Sequence, residues 1–462
     1  MYPTPTARRQ QYRRMKTYRT NSDAYSFFNL LTSDELLDTL EALLPAHFRE
    51  RLYPPTDVLA MSLAQAMSAD RSCQNIVNQT AIRRIAGGLP PISTRTGGYC
   101  RARQRLPLPM VAGLTRQVAA LMDSQVSEPW LWRGRRVRIV DGTTATMPDT
   151  PANQARFPQQ GSQKPGLGFP ICRIVGITCL ASGALINAAV GHFNGKGGDE
   201  QTLLRSIQTT FEAGDLVLGD AFFATYFFLA QMLSREVDVL LEQHGARKQA
   251  TDFRYGQRLG ENDHLIVLHK PKKRPAWMGE ADYAAAPETL KLREFKAGGK
   301  IMVTSLRNAK EMPKSTLKAL YASRWHVELD IRNIKETLGM NILSCRSPDM
   351  VEKEIWTYLL AYNLIRLMMA QSAQWMDLMP RQLSFKHCLQ LWLIAVQHID
   401  FSRDEELVAL FALMAQQRVG HRPGRIEPRA VKRRPKALPL LTKPRALVRE
   451  QVRKYGHPKK LK

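Results

Sequence analysis

The sequence predicts an α/β protein, a sheet-based core that carries a β-rich insertion and follows an α-helical domain. Three observations predict it. Apolar residues recur at helical spacing from Thr32 to about Val126, as in Leu36, Leu37, Leu40, Leu43 and Leu44. From Arg135 the pattern changes to short β-branched runs that alternate or are wholly apolar, as strands do. Between about 237 and 299, strand-like runs surround a basic, proline-rich loop before the earlier scheme resumes.

Taken in order, residues 1–20 form a basic tail with Arg8, Arg9, Arg13, Arg14, Lys16 and Arg19 and no acid. In 21–127, TSDE at 32–35 matches a capping box and further helical runs begin near Thr56 and Asp70. The break STRTGGYCRARQRLP then sets Arg101, Arg103 and Arg105 close together. A small helical domain with an arginine cluster is expected to bind DNA; a solvated arginine loop has the same signature. RRVRIVDGTT is a strand ending at Asp141, and CRIVGITCL and ALINAAVGHF are two more across the turn ASG. GDEQTLLRSIQTTF is an amphipathic helix, and DLVLGD is a buried strand ending in Asp220. Three consecutive strands, a helix and a fourth strand is the order of a ribonuclease-H-like sheet, so a core of that class is expected over 128–236 and 300–400. The insertion, 237–299, holds VDVLLEQHG, HLIVLHK and TLKLREFK around the loop KPKKRPAW. IMVTSLRN then leads into a helix that Ser315 can cap and Gly339 can end. WTYLLAYNLIRLMMA, from Trp356, includes Asn363 and Arg366 and is too short to cross a bilayer, so it is expected as a buried core helix. Residues 401–462 add a helix and a second basic tail.

A chain of 462 residues, 44% hydrophobic, can bury a large core and divide into two or three domains. Its net charge of +26 is unevenly spread: residues 1–20 carry +6 and residues 418–462 carry +14, leaving +6 between them. Such tails suit a polyanion held through phosphates with release of counterions. DNA is the expected partner; an RNA-binding arm and a solvated tail are the alternatives. Cys73, Cys100, Cys172, Cys179, Cys345 and Cys388 form no C-x-x-C pair, so neither a zinc site nor a disulfide framework is indicated and a reducing cytosol is expected. The basic N-terminus has no apolar run behind it and is not a secretory signal, and no membrane association is expected.

YASRWHVELDIRNIKE, residues 321–336, puts charges where a packing helix wants fewer. At about 100° per residue, Tyr321, Arg324, Glu328 and Lys335 fall within about 60° of one another, with Arg332 beside them. Val327, Ile331, Ile334 and Leu338 form the neighbouring apolar stripe. Arg324 and Glu328 also satisfy an ordinary i,i+4 surface pair, and Asp141 and Asp220 are each also readable as turn-forming strand ends. Together, two aspartates from strands and a glutamate from a helix supply hard oxygen ligands for two divalent ions, the arrangement that serves phosphodiester displacement. Cations beside Glu328 are costly against a metal unless phosphate lies between, which implies a polyphosphate substrate.

These residues resemble the DDE transposases of the insertion-sequence-four group, whose signature Y-x2-R-x3-E-x6-K is met by Tyr321, Arg324, Glu328 and Lys335 with every spacing intact. VDGTT, GDAFF, VTSLRN and YNLIR resemble the family's other blocks, and the resemblance runs from about 30 to 400. It implies Mg2+, two ions with Mn2+ as substitute, on Asp141, Asp220 and Glu328, and phosphate contacts from Tyr321, Arg324 and Lys335. It also implies cut-and-paste transposition on double-stranded DNA: a nick by water, a hairpin formed by the released 3′-OH, reopening, and joining to target. A homodimer is expected, since two terminal repeats must be brought together, in a bacterial cytoplasm beside the nucleoid. The rival readings are a catalytically silent or domesticated DNA-binding protein and a structure-selective nuclease. One departure stands out: Lys300 occupies the place where the family's best-understood member stacks a tryptophan on a flipped base, and Trp277 is the insertion's one tryptophan. His244 and Asp149 are assigned structural roles, and His326 the helix surface.

Overall fold

The structure, a computed structural model, describes residues 42–44, 52–195, 197–245, 247, 251–399, 404–420 and 441–456. The tail 1–20, the TSDE cap and residues 421–440 of the C-terminal tail lie outside the described residues. Helices α1 (Pro55–Met67), α2 (Cys73–Ala86), α3 (Gly97–Arg105) and α4 (Leu108–Ser124) come first. Pro55 opens α1, where its missing N–H costs nothing. Ser72 caps α2 by accepting from the Asn75 amide at 3.1 Å.

The chain then builds β1 (Val137–Thr146), the short α5 (Pro151–Arg156), β2 (Ile171–Cys179), β3 (Leu185–His192), α6 (Glu200–Ile207), β4 (Leu216–Gly219), α7 (Tyr226–Ser234) and β5 (Asp238–Glu242). Next come β6 (Gln257–Gly260), β7 (Asp263–His269), α8 (Glu280–Ala285), β8 (Thr289–Ala297) and β9 (Lys300–Thr304). These strands form one nine-stranded sheet in the order β3-β2-β1-β4-β5-β9-β8-β7-β6. Only β1 with β4 and β4 with β5 pair parallel. Of the 237–299 stretch, β5 therefore pairs directly with β4, and β6 to β8 continue the same sheet through β9.

β1 runs past its expected end. Its parallel pairing with β4 stops at Ile139 opposite Leu218, but its antiparallel pairing with β2 continues through Asp141 opposite Gly176 to Thr146 opposite Ile171. A long partner strand, not the local sequence, decides where β1 stops.

The remaining elements are α9 (Lys314–Ala322), α10 (Trp325–Arg332), a π-helical turn (Asn333–Thr337), α11 (Pro348–Trp375), α12 (Phe385–His398), α13 (Asp404–Gln416) and α14 (Arg445–Tyr455). One face of the sheet, with Ile139 and Leu218, packs on Leu317, Leu320 and Val327 of α9 and α10. The other, with Val140, Val217 and Val239, packs on α6 and α7. Helices α1–α4 and α11–α13 share a third apolar core with side chains of β2 and β3. Helix α11 is buried along most of its length, and no helix among the described residues is long and apolar enough to cross a membrane.

Candidate active site

β1 and β4 run side by side in parallel. Two residues beyond the last registered pair, Ile139 and Leu218, each strand reaches an aspartate, Asp141 and Asp220, on the sheet face that α10 covers. The Asp141 Oδ1 accepts from the Gly142 amide at 2.8 Å. Asp220 caps a single turn by accepting from the Phe222 amide at 2.9 Å.

The expected single helix from Ser315 to Gly339 is three pieces. Pro313, not Ser315, stands at its N-cap, since a proline there fixes the entry and leaves no N–H to satisfy. The α-helical pattern is interrupted at Ser323 and Arg324, and a π turn follows α10. Gly339 does end it, with φ +92°. Val327, Ile334 and Leu338 are buried as the stripe predicts.

Arg324 lies at the break and joins two of the acids, donating Nη1 to Asp141 Oδ2 at 3.3 Å and Nη2 to Glu328 Oε1 at 2.7 Å. All three side chains are partly exposed, at 19% for Arg324 and Asp141 and 34% for Glu328. Tyr321 donates its hydroxyl to the Gly219 carbonyl at 3.3 Å, gripping the residue before Asp220. The π turn carries Lys335 back to β1, where Nζ donates to Thr143 Oγ1 at 3.2 Å. Arg332 points to solvent.

The electrostatics follow from this crowding. Burial holds the Asp141 carboxyl above its ordinary range; the Gly142 amide and Arg324 oppose it, while the negative Asp220 and Glu328 add to it. Burial acts to lower Arg324, but Asp141, Tyr321 and Glu328 outweigh it and raise the guanidinium. Burial pushes the Tyr321 phenol well up against the pull of Arg324, and it lowers the Lys335 ammonium. Among the described residues no three His, Cys, Asp or Glu side chains are gathered closely enough to hold a metal ion. The Arg324 guanidinium stands between two of the three acids. Their chemistry, hard carboxylate oxygens with no thiol or imidazole, suits a hard divalent cation.

The arginine cluster of the helical region is not brought together. Arg101 and Arg105 are exposed, but Arg103 turns inward, donating to Cys73 Sγ at 3.4 Å and Cys345 Sγ at 3.6 Å. It ties α2 and α3 to the segment after the π turn. His326 is half-buried rather than on the open surface, its pKa lowered by burial and then by Arg381. Asp149 accepts from Gln154 at 2.9 Å, and the His244 ring stacks on Phe222 at 6.4 Å. Trp277 lies across the sheet with α6 and α7, its ring 4.0 Å from the Arg205 guanidinium and edge-on to Phe227. Lys300 pairs with Glu242 at 2.6 Å.

Two residues escape the sequence reading. Asp330, fully buried two residues after Glu328, is held by Arg366 at 2.5 Å and Arg381 at 2.8 Å. It anchors α10 to α11. Glu200, which opens α6, lays its carboxyl against Gly142, and burial, with Arg173 opposing and Asp220 and Asp141 adding, holds that carboxyl above its ordinary range. Neither sits in a motif.

The sequence matches the family described as transposase DDE domain over residues 132–364, a segment that contains all three acids, Arg324 and Lys335. It is 28% identical over 407 residues to the transposase InsG for insertion sequence element IS4 of Escherichia coli strain K12, covering 86% of this chain and 89% of that protein.

Proposed function

The chain belongs to the transposase DDE-domain family, in its insertion-sequence-four group, and from that membership we propose a cut-and-paste transposase acting on the terminal repeats of its own element. Asp141, Asp220 and Glu328 are its catalytic carboxylates. Tyr321, Arg324 and Lys335 contact the phosphates near the cleaved end, with Arg332 beside them. The strands β3-β2-β1-β4 belong to a ribonuclease-H-like core over 128–236 and 300–400, 237–299 is its insertion, and the helices of 21–127 bind DNA with Arg101 and Arg105 turned outward. A homodimer joins two repeats, in the cytoplasm beside the nucleoid.

The observation that carries this reading is the Arg324 bridge: Asp141 of β1 and Glu328 of α10 meet around a cation that the signature spacing supplies, with Asp220 at the end of the parallel neighbour β4. The carboxylates fit Mg2+, with Mn2+ as substitute. Bound there, divalent ions would stabilise the attacking and the leaving oxygens of phosphodiester displacement. The chain's own residues do the positioning. Tyr321 fixes the strand end that presents Asp220, Lys335 holds a cation over β1, and Arg324 neutralises Asp141 and Glu328 until a phosphate offers it another partner. Water first nicks the strand, and the freed 3′-OH then attacks the opposite strand, giving a hairpin that is reopened before joining to target. Trp277 packs away from this face, so stacking on a flipped base at the hairpin step falls to another side chain.

The test is Mg2+-dependent nicking of duplexes carrying the element's terminal repeats. Glu328→Ala is expected to lose about 10³-fold or more, the equivalent of several kcal/mol of transition-state stabilisation. Cleavage that survives the substitution sinks the assignment of Glu328. Binding without cleavage by the unaltered protein marks a catalytically silent DNA-binding protein, and equal cutting of DNA without the repeats marks a structure-selective nuclease.

A further inference from the structure

We propose that Glu200 is a fourth carboxylate of the site, closing it from the α6 side and helping Asp141 and Asp220 hold a divalent cation; this rests on the reading of those aspartates given above. The first turn of α6 touches both aspartate blocks. Glu200 covers Gly142, the residue after Asp141, so closely that a Cβ there would lie 2.5 Å from Glu200 Oε1 and 2.9 Å from its Cγ. The next residue, Gln201, donates Nε2 to the carbonyl of Phe222, two residues after Asp220, at 2.7 Å. Asp199 caps the turn through the Thr202 amide at 3.0 Å, which fixes where the two side chains start.

Gly142 gives an independent reason to assign Glu200 a role. It sits inside β1, where glycine is less stable than alanine, and it is not among the positive-φ glycines. Its backbone therefore does not require glycine; a Cβ there would instead displace the Glu200 carboxyl, which fills that space. An ordinary structural role accounts for less. An acid in a first helical turn is favourable, but only weakly when it is solvent-accessible. The ion pair with Arg173 is loose at 3.7 Å, because Arg173 gives Nη1 to the Gly198 carbonyl at 2.9 Å and stacks on Phe193 at 4.5 Å. What remains is a carboxylate laid against the backbone of a catalytic strand, at the end where two aspartates already crowd.

The experiment titrates Mn2+ into the full-length protein without DNA and follows free Mn2+ by electron paramagnetic resonance. Glu200→Gln, which keeps shape and removes charge, is expected to weaken Mn2+ binding about 10- to 100-fold, the usual cost of losing a supporting ligand, with the melting temperature unchanged. Gly142→Ala leaves the carboxylate in the protein but pushes it off the site, so it reproduces the loss, and the double variant is no weaker than either single one. The proposal is overturned if Glu200→Gln binds Mn2+ as tightly as the unaltered protein while Asp141→Asn loses binding. If Asp141→Asn also binds normally, the metal-holding role of the aspartates falls with it, which separates the two failures. Should Glu200→Gln fold poorly, Gly142→Ala decides the matter alone.

Discussion

Lys335 joins the π turn to β1 through Thr143, half-buried, and burial brings its ammonium below the ordinary lysine value of 10.5. The sign of the consequence is fixed. A base with a lowered pKa keeps its charge below that value and loses it as pH rises through it, so the proposed phosphate contact should weaken in the range beneath 10.5 where an exposed lysine stays charged. Affinity for repeat DNA, read by fluorescence anisotropy between pH 7 and 10, should fall for the unaltered protein and stay flat for Lys335→Arg. Lys335→Ala should start about tenfold weaker at pH 7, the worth of one charged hydrogen bond. Parallel curves for the unaltered protein and Lys335→Arg would show that Lys335 is not the titrating group. At this scale the sequence was legible wherever spacing along one element carried the information, as for Tyr321, Arg324, Glu328 and Lys335. Arg103 was misplaced because exposure is a tertiary property: two thiols from α2 and the segment after the π turn draw it inward. Glu200 was invisible for the same reason, since its partner Gly142 lies 58 positions away.

The helix that carries Glu328 works because it is not one helix. A uniform wheel puts the four signature residues on one face, and the break at Ser323 and Arg324 and the π turn then aim them at three separate targets. Periodicity shows which face is polar but not where the winding changes. Two contacts hold this element in place. Gly339 stops it at φ +92°, with the Arg71 guanidinium of the helical region where a Cβ would be. Gly339→Ala should cost about 1–2 kcal/mol for the left-handed backbone and more for displacing Arg71. Asp330, clamped between Arg366 and Arg381, is costlier still. Asp330→Ala leaves two buried guanidinium groups without their anion and should destabilise by about 3–5 kcal/mol. Urea unfolding measures both, and the order Asp330→Ala worse than Gly339→Ala is the part that tests the assignment. YNLIR thereby gains a physical role: Arg366 seats the Glu328 helix, while Tyr362 and Asn363 bond the Gly183 and Leu185 backbone of the β2–β3 turn.

Across the whole molecule, the sheet explains why the site could be inferred but its surroundings could not. The aspartates were legible because both end apolar runs. That β1 and β4 are parallel neighbours, and that β6 to β8 extend the same sheet through β9, depends on pairings between strands far apart in sequence. Charge is the property that sequence alone distributes, and it makes the largest-scale prediction. The terminal segments 1–20 and 418–462 hold +20 of the net +26, so they should contribute most of the counterion release on DNA binding. Each phosphate neutralised adds about −0.9 to the slope of log affinity against log salt. Replacing Arg422, Arg425, Arg429, Lys432, Arg433, Arg434 and Lys436 with glutamine removes seven charges without touching any acid of the site. The slope should then flatten by several units, with affinity lost equally on repeat and unrelated DNA, because phosphate contacts carry no sequence information. An unchanged slope would assign DNA affinity to the cations around Glu328 and to Arg101 and Arg105, and would leave this tail as solvated charge.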